Sequence, residues 1–259
     1  MKYIKIYFAC FRTSISSALA YRADFMIGNL IMLLSNIVFP LVTILVYANG
    51  ASFPGWDMWE VLLIQSIFSL STAASSMISG SVLWVTMDLV REGSFETVLL
   101  KPFSPLFYIT AANFGADNIG LFLGALVMTI ISAAHTGITG FSGVVQSLLL
   151  FLAGIMVLTG IHLIMASISF KWIGNSRIPE IFGSIEEFGK YPLTIFPKSV
   201  QIISALIIPV AVVGFYPASA LIGKIELSAL WSVFSGIVFL IFGIWLYNKM
   251  IKNYEGVGG

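Results

Sequence analysis

The chain has 259 residues, of which 58% are hydrophobic and only 10% charged, with a net charge of +1 and a mean hydropathy of +0.98. Soluble domains carry about 25% charged residues, so this composition excludes a soluble enzyme, and the near-neutral charge gives no ground for a nucleic-acid partner. Cys10 is the single cysteine, which rules out an intrachain disulfide and a cysteine-built metal cluster.

In residues 3–22, Ile4, Phe8, Phe11, Ile15 and Leu19 recur every three or four positions, while Lys5, Arg12, Thr13 and Ser16 fall elsewhere around the wheel. This pattern predicts an amphipathic helix lying in the membrane interface. Charges at Lys2, Lys5, Arg12 and Arg22 interrupt the segment, so it does not read as a cleavable signal and is expected to stay attached. Apolar runs of about 20 residues, the length that spans a bilayer core, follow at 25–48, 60–85, 114–134, 144–170 and 228–248. A further crossing lies within 178–223 and reads in two ways. Either 200–222 spans after a long loop, or 178–196 spans and 198–223, broken by Pro209 and Pro217, dips into one leaflet as a hairpin. Hydropathy favours the first, because Glu180, Glu186, Glu187 and Lys190 are costly in lipid. Broken helices are tolerated, however, where protein buries them. Either way the fold class is all-α, a polytopic membrane protein of six transmembrane helices.

Loop charges set the orientation. Lys2, Lys5, Arg12 and Arg22 precede the first span, Arg91 and Lys101 follow the second, Lys171 and Arg177 the fourth, and Lys249 and Lys252 the last. Loops 49–59 and 135–143 hold no Lys or Arg. The positive-inside rule then puts both termini in the cytoplasm. Trp56 and Trp59 mark one boundary, and Trp84, Trp172 and Trp245 the other. The small residues from Ser71 to Ser81 give the second span a face for close helix packing or for a polar groove.

Within the cytoplasmic loop 86–112, Gly93 and Ser94 are expected to start a short helix with Ser94 as its N-cap, Glu96 in the first turn and Pro102 as the stop. It carries Phe95, Val98, Leu99 and Leu100 beside Lys101. Apolar residues on so short a loop need either a partner surface or the ends of the chain's own helices.

The stretches VREGSFETVLLKPFSPLFY and FGKYPLTIFPKSVQIISALIIPVAVVGFYPASALIG, with the tail NKMIKNYEGVGG, are similar to a bacterial and archaeal branch of the permease subunits of exporter-type (type-2) ABC transporters. The similarity runs over essentially the whole chain. The resemblance implies that Gly93–Pro102 is a coupling helix docking on a separate ABC ATPase. It further implies that 178–196 is the fifth span, that 198–223 is an outer-leaflet re-entrant hairpin, and that a second permease chain, identical or paralogous, completes the path in the cell membrane. Glu180, Glu186 and Glu187 make that fifth span unusually acidic.

No GxxxxGK[ST] loop is present, so this chain is expected to bind no cofactor, with ATP and Mg on the partner ATPase. No catalytic motif and no metal-ligand spacing appears. His162, Asp117, Glu186 and Lys190 are candidates for a translocation path or gate, because polar groups in spans face protein. Helix-to-helix hydrogen bonding is the plainer reading for His162, Asn29, Asn36 and Gln65, and water for Asp117. Glu186 and Lys190, four apart, are spaced for an ion pair, with a proton relay as the sharper reading. The rival functions are a stand-alone secondary transporter, which would need related halves that the sequence does not display, a membrane-embedded lipid enzyme and an assembly scaffold. Nothing in the sequence selects among lipid, hydrophobic drug, peptide and glycan as cargo.

Overall fold

The structure is a computed structural model that describes residues 2–172 and 177–254. The last five residues of the tail, 255–259, lie outside the described residues. The described chain folds into α1 (Lys2–Ala20), α2 (Arg22–Ala48), α3 (Met58–Ser75), α4 (Ser81–Arg91), α5 (Glu96–Leu99), α6 (Pro105–Ala112), α7 (Ile119–Thr136), α8 (Phe141–Ser169), α9 (Arg177–Glu186), α10 (Lys198–Ile202), α11 (Phe215–Leu221) and α12 (Ser232–Met250). A π-helical turn at Ser76–Gly80 joins α3 to α4 in one continuous run. Among the described residues, five runs are long and apolar enough to cross a membrane: Arg22–Ala48, Met58–Arg91, Ala116–Thr136, Phe141–Ser169 and Ala229–Asn253. The protein is thus a polytopic helical membrane protein. The second run extends beyond the expected 60–85. Hydropathy marks where apolar residues stop, whereas the backbone stays helical until Gly93 takes a positive φ of 70°.

α3 is the centre of the bundle, with Val61 to Phe68 buried without interruption. A capping box starts it: Asp57 accepts from the Trp59 amide, and Glu60 accepts from the Asp57 amide. α2 buries only Pro40 and Thr43, as expected of a helix whose outer face meets lipid. α8 and α12 meet along a seam of glycines. A Cβ on Gly160 would lie 2.5 Å from the Phe239 carbonyl oxygen, and one on Gly243 would lie 2.8 Å from the Gly160 carbonyl oxygen. Small residues at such a seam let two backbones touch, which is how helices gain packing energy where there is no water to expel.

The 177–223 region is built from short pieces. α9 tightens into a 3-10 turn at Glu187–Lys190 and ends at Tyr191–Pro192. Residues 194 and 224 then lie at the same end of the bundle: the Trp56 indole N–H donates to Thr194 Oγ1 (2.9 Å), and Lys224 Nζ bonds Glu60 (2.6 Å). Between them α10 runs inward, the chain breaks at Pro209, and α11 returns. The tip is buried from Val210 to Phe215, and Ser71 Oγ donates to the Val213 carbonyl (2.8 Å). Gly214 sits where a Cβ would lie 2.7 Å from the Gly189 carbonyl oxygen. The small-residue face of α3 therefore packs against this tip and α8.

Candidate functional site

Glu92, Gly93 and Ser94 terminate α4. The Ser94 amide reaches back to the Leu89 carbonyl (2.9 Å) and the Gly93 amide to that of Val90 (3.2 Å), a helix stop that needs the left-handed backbone of Gly93. The chain then turns directly into α5. The expected N-cap is corrected here: Phe95, not Ser94, stands at that position, and no side chain caps the helix. Ser94 is instead drawn into the α4 stop, and its hydroxyl is buried without a partner among the described residues. The helical turn is also shorter than 93–102, covering Glu96–Leu99. A second helix, α6, follows, with Ser104 as N-cap and Pro105 in its first turn.

The loop divides its apolar side chains between two surfaces. Phe95 is fully buried (0% exposed) against Phe170 (4.9 Å between ring centroids) and Tyr254 (5.3 Å), and Val98 is 3% exposed. Phe170 in turn packs on Tyr247, whose hydroxyl lies 2.9 Å from Thr86 Oγ1. The ends of α4, α8 and α12 are thereby locked to α5. Leu99 is 44% exposed and Leu100 85%, beside exposed Glu96, Lys101 and Pro102. Truncating the anchor, Phe95→Ala, is expected to cost about 3–5 kcal/mol, read as a large drop in melting temperature of the purified protein.

The expected path residues fall in three places. His162 lies on α8 facing the π-helical turn, with its Nδ1 2.9 Å from Ser79 Oγ and 3.5 Å from Ser75 Oγ. The same turn offers the Met77 carbonyl to the Gly115 amide (3.1 Å). A Cβ on Gly115 would lie 2.8 Å from the Ser76 carbonyl oxygen, so only glycine fits this dock. A π turn widens the helix by one residue and often marks a functional site. Asp117 is exposed in the 3-10 turn before α7 and borders a recess with Tyr21 and Asp24, away from His162.

Lys190 marks the third place. The expected pairing with Glu186 is not made; Lys190 Nζ binds Glu187 Oε1 at 2.7 Å. The backbone explains the change. After Glu186 the helix tightens to three residues per turn, which stacks positions i and i+3 rather than i and i+4. The ammonium also sits 3.7 Å from the Phe39 ring centroid and 5.5 Å from that of Phe68. It borders a recess of about 190 Å³ shared with Asn36, Gln65 and Ser69. Ser69 Oγ donates to Asn36 (2.6 Å) and Gln65 Nε2 donates to Thr43 (2.8 Å), while Gln65 Oε1 is buried without a partner among the described residues.

The sequence model of the ABC-2 family transporter proteins matches residues 30–258, from within α2 to the penultimate residue. The chain belongs to the ABC-2 transporter family. It is the permease subunit of an ABC exporter, a transport component of the membrane rather than a catalytic one. No curated protein matched it. Within the permease, the recess beside Lys190 was only partly foreseen. Asn36 and Gln65 do bond helix to helix, but they also line that recess. The signal for it was present as polar residues at helical spacing on successive spans, Asn36 and Thr43 on α2 and Gln65 and Ser69 on α3. Asn29 is structural: its Oδ1 accepts from the Gly120 amide (2.6 Å) at the start of α7.

Proposed function

We propose that the segment Gly93–Pro102 is the coupling element through which a separate ABC ATPase drives this permease. The observation that carries the proposal is the Leu99–Leu100 pair, exposed on a loop whose Phe95 and Val98 are buried against the helix ends. Two ATPase subunits, holding ATP and Mg, sit against the loops of two permease chains, identical or paralogous. Their closure pushes on α5. Because Phe95 and Phe170 are in contact, the push reaches α8 and α12 together. The π-helical turn and its His162 contact provide a place where α3 and α4 can reseat. The recess at Lys190 lies on the path, with Glu186 behind it, while Asp117 borders a second recess at the start of α7.

Both termini lie in the cytoplasm of a cell-membrane protein, and the chain crosses six times. Five crossings are the long helices, and the sixth is the run from Arg177 to Phe196. Support comes from its two ends. Ile178 and Phe182 pack on the cluster containing Phe95 and Phe170, whereas the Tyr191 ring lies tilted against Phe53 at the other end, 6.0 Å between centroids. Residues 198–223 then form an outer-leaflet re-entrant hairpin, and α1 lies in the inner interface, docked by Phe11 on Phe114. The end that carries α5 also carries Arg91, Lys101, Lys171, Lys249 and Lys252, which favours its being cytoplasmic.

The test is purification of the permease from its native membrane in mild detergent, with mass spectrometry of what accompanies it. A stoichiometric protein with a nucleotide-binding cassette is the expected companion. Recovery of the permease alone, repeated after crosslinking in the membrane, would sink the coupling reading. The path reading has its own test. Lys190→Met removes a cation–π contact and a pair whose partner is exposed, so it should cost only about 1–2 kcal/mol of stability. Export by the reconstituted complex should fall far more than that loss explains; unchanged export would remove Lys190 from the path.

A further inference from the structure

A cavity of about 440 Å³ opens between the hairpin and the start of α12, on the side of the hairpin away from Lys190. Its floor is mainly apolar, with Ala205, Leu206 and Phe215, the hydroxyls of Ser219, Ser232 and Ser235 reach its walls, and its rim carries Lys198, Lys224 and Trp56. Leu206 is 74% exposed and Trp231, on the opposite lip, 78%. The cavity is therefore open sideways as well as toward the 49–57 loop. The rim lies beside that loop, because Lys224 bonds the Gly55 carbonyl (3.3 Å) and Glu60, and the floor lies past the end of α10, where Ala205 and Leu206 sit in the π-helical turn Ile203–Ile207. On the topology proposed above this is the outer leaflet, with the rim at headgroup level and the floor among the acyl chains.

We propose that this cavity is a resident site for one membrane glycerophospholipid, its acyl chain between α10 and α12 and its phosphate at Lys198 and Lys224. An apolar recess open to the bilayer fills with chain, since emptying it would forfeit contacts on every wall. The volume of about 440 Å³ gives room for one acyl chain entering from the open side. Lys198 is exposed at the rim. The Lys224 ammonium has three N–H donors, of which Glu60 and the Gly55 carbonyl take two, leaving one for a phosphate oxygen. The lipid holds the hairpin against α12 and is not the transported molecule.

The test is native mass spectrometry of the delipidated, full-length permease titrated with dioleoyl phosphatidylglycerol, with dioleoylglycerol, which lacks the phosphate, and with glycerol phosphate. The wild type should take up one phosphatidylglycerol per chain, about tenfold more tightly than dioleoylglycerol, and no glycerol phosphate. Lys198→Glu, a surface change that leaves folding alone, should erase that preference while keeping the weaker dioleoylglycerol binding. Ala205→Trp, which fills the floor, should abolish both. Equal affinity for the two lipids, unchanged binding by Lys198→Glu, or uptake of glycerol phosphate alone would overturn the proposal. Lipid binding is read without ATP, a partner or transport, so its failure leaves the coupling reading standing, and loss of coupling leaves this site standing.

Discussion

Changing Leu99 and Leu100 together to aspartate is expected to abolish ATP-driven export while the permease still inserts, folds and melts as before. At 44% and 85% exposed, the two side chains contribute little to the fold, and surface changes of this kind stay within about 0.5 kcal/mol. On the proposed coupling, their value lies in what they touch when the ATPase is bound. Two leucines seated in a partner's apolar cleft act as anchors, and two carboxylates in their place would be desolvated without counter-charges. A penalty of about 4 kcal/mol lowers affinity roughly a thousandfold, which leaves the ATPase unbound at cellular concentrations. Phe95→Ala gives the opposite signature, with stability lost first. The pair of variants, measured for melting temperature and for export in reconstituted vesicles, separates partner contact from internal packing. Export unaffected by the double aspartate would place coupling elsewhere.

Gly160→Leu is expected to remove the folded protein altogether. At this position the neighbour is backbone: the new Cβ would lie 2.5 Å from the Phe239 oxygen, 2.6 Å from its carbonyl carbon and 3.0 Å from the Leu240 nitrogen. No rotamer relieves contacts made by Cβ itself, so α8 and α12 must separate. That separation strips Gly236 from Ala153 and Gly243 from Gly160 along the same seam. Overpacking a core costs about 1–3 kcal/mol where side chains can yield; here the cost runs above that range. Gly28→Ala is the control. No atom lies within 4 Å of its added Cβ, and replacing a mid-helix glycine gains about 1 kcal/mol of helix propensity. Detergent gel filtration followed by a thermal melt reads both. A monodisperse Gly160→Leu protein would mean that the seam is looser than its geometry.

Much of this architecture was legible from residue pattern. Long apolar runs and charge-poor loops mark the membrane helices because lipid admits little else, and the resemblance to ABC permeases agrees with the family to which the chain belongs. Three features lay beyond that kind of reading. The π-helical turn at Ser76–Gly80 leaves no trace in hydropathy, since it adds one residue without changing polarity. It is held by partners distant in sequence, His162 and Gly115. The Lys190 pairing was assigned to Glu186 by α-helical spacing, and the 3-10 turn at Glu187–Lys190, packed under the buried 210–214 tip, shifts it by one. On the 86–112 loop, sequence gives apolar residues but not their direction. Phe95 and Val98 turn inward because Phe170 and Tyr254, which come more than 70 residues later, reach the same spot.

The central claim, that the tip of α5 meets a separate ATPase, is tested most directly by a photo-crosslinking amino acid at position 100 of the permease in its native membrane. The account predicts an adduct with a protein that carries a GxxxxGK[ST] nucleotide-binding loop, and none from the same probe at the exposed Trp84. Crosslinks from position 100 to lipid alone, or to no protein while export continues, would contradict it.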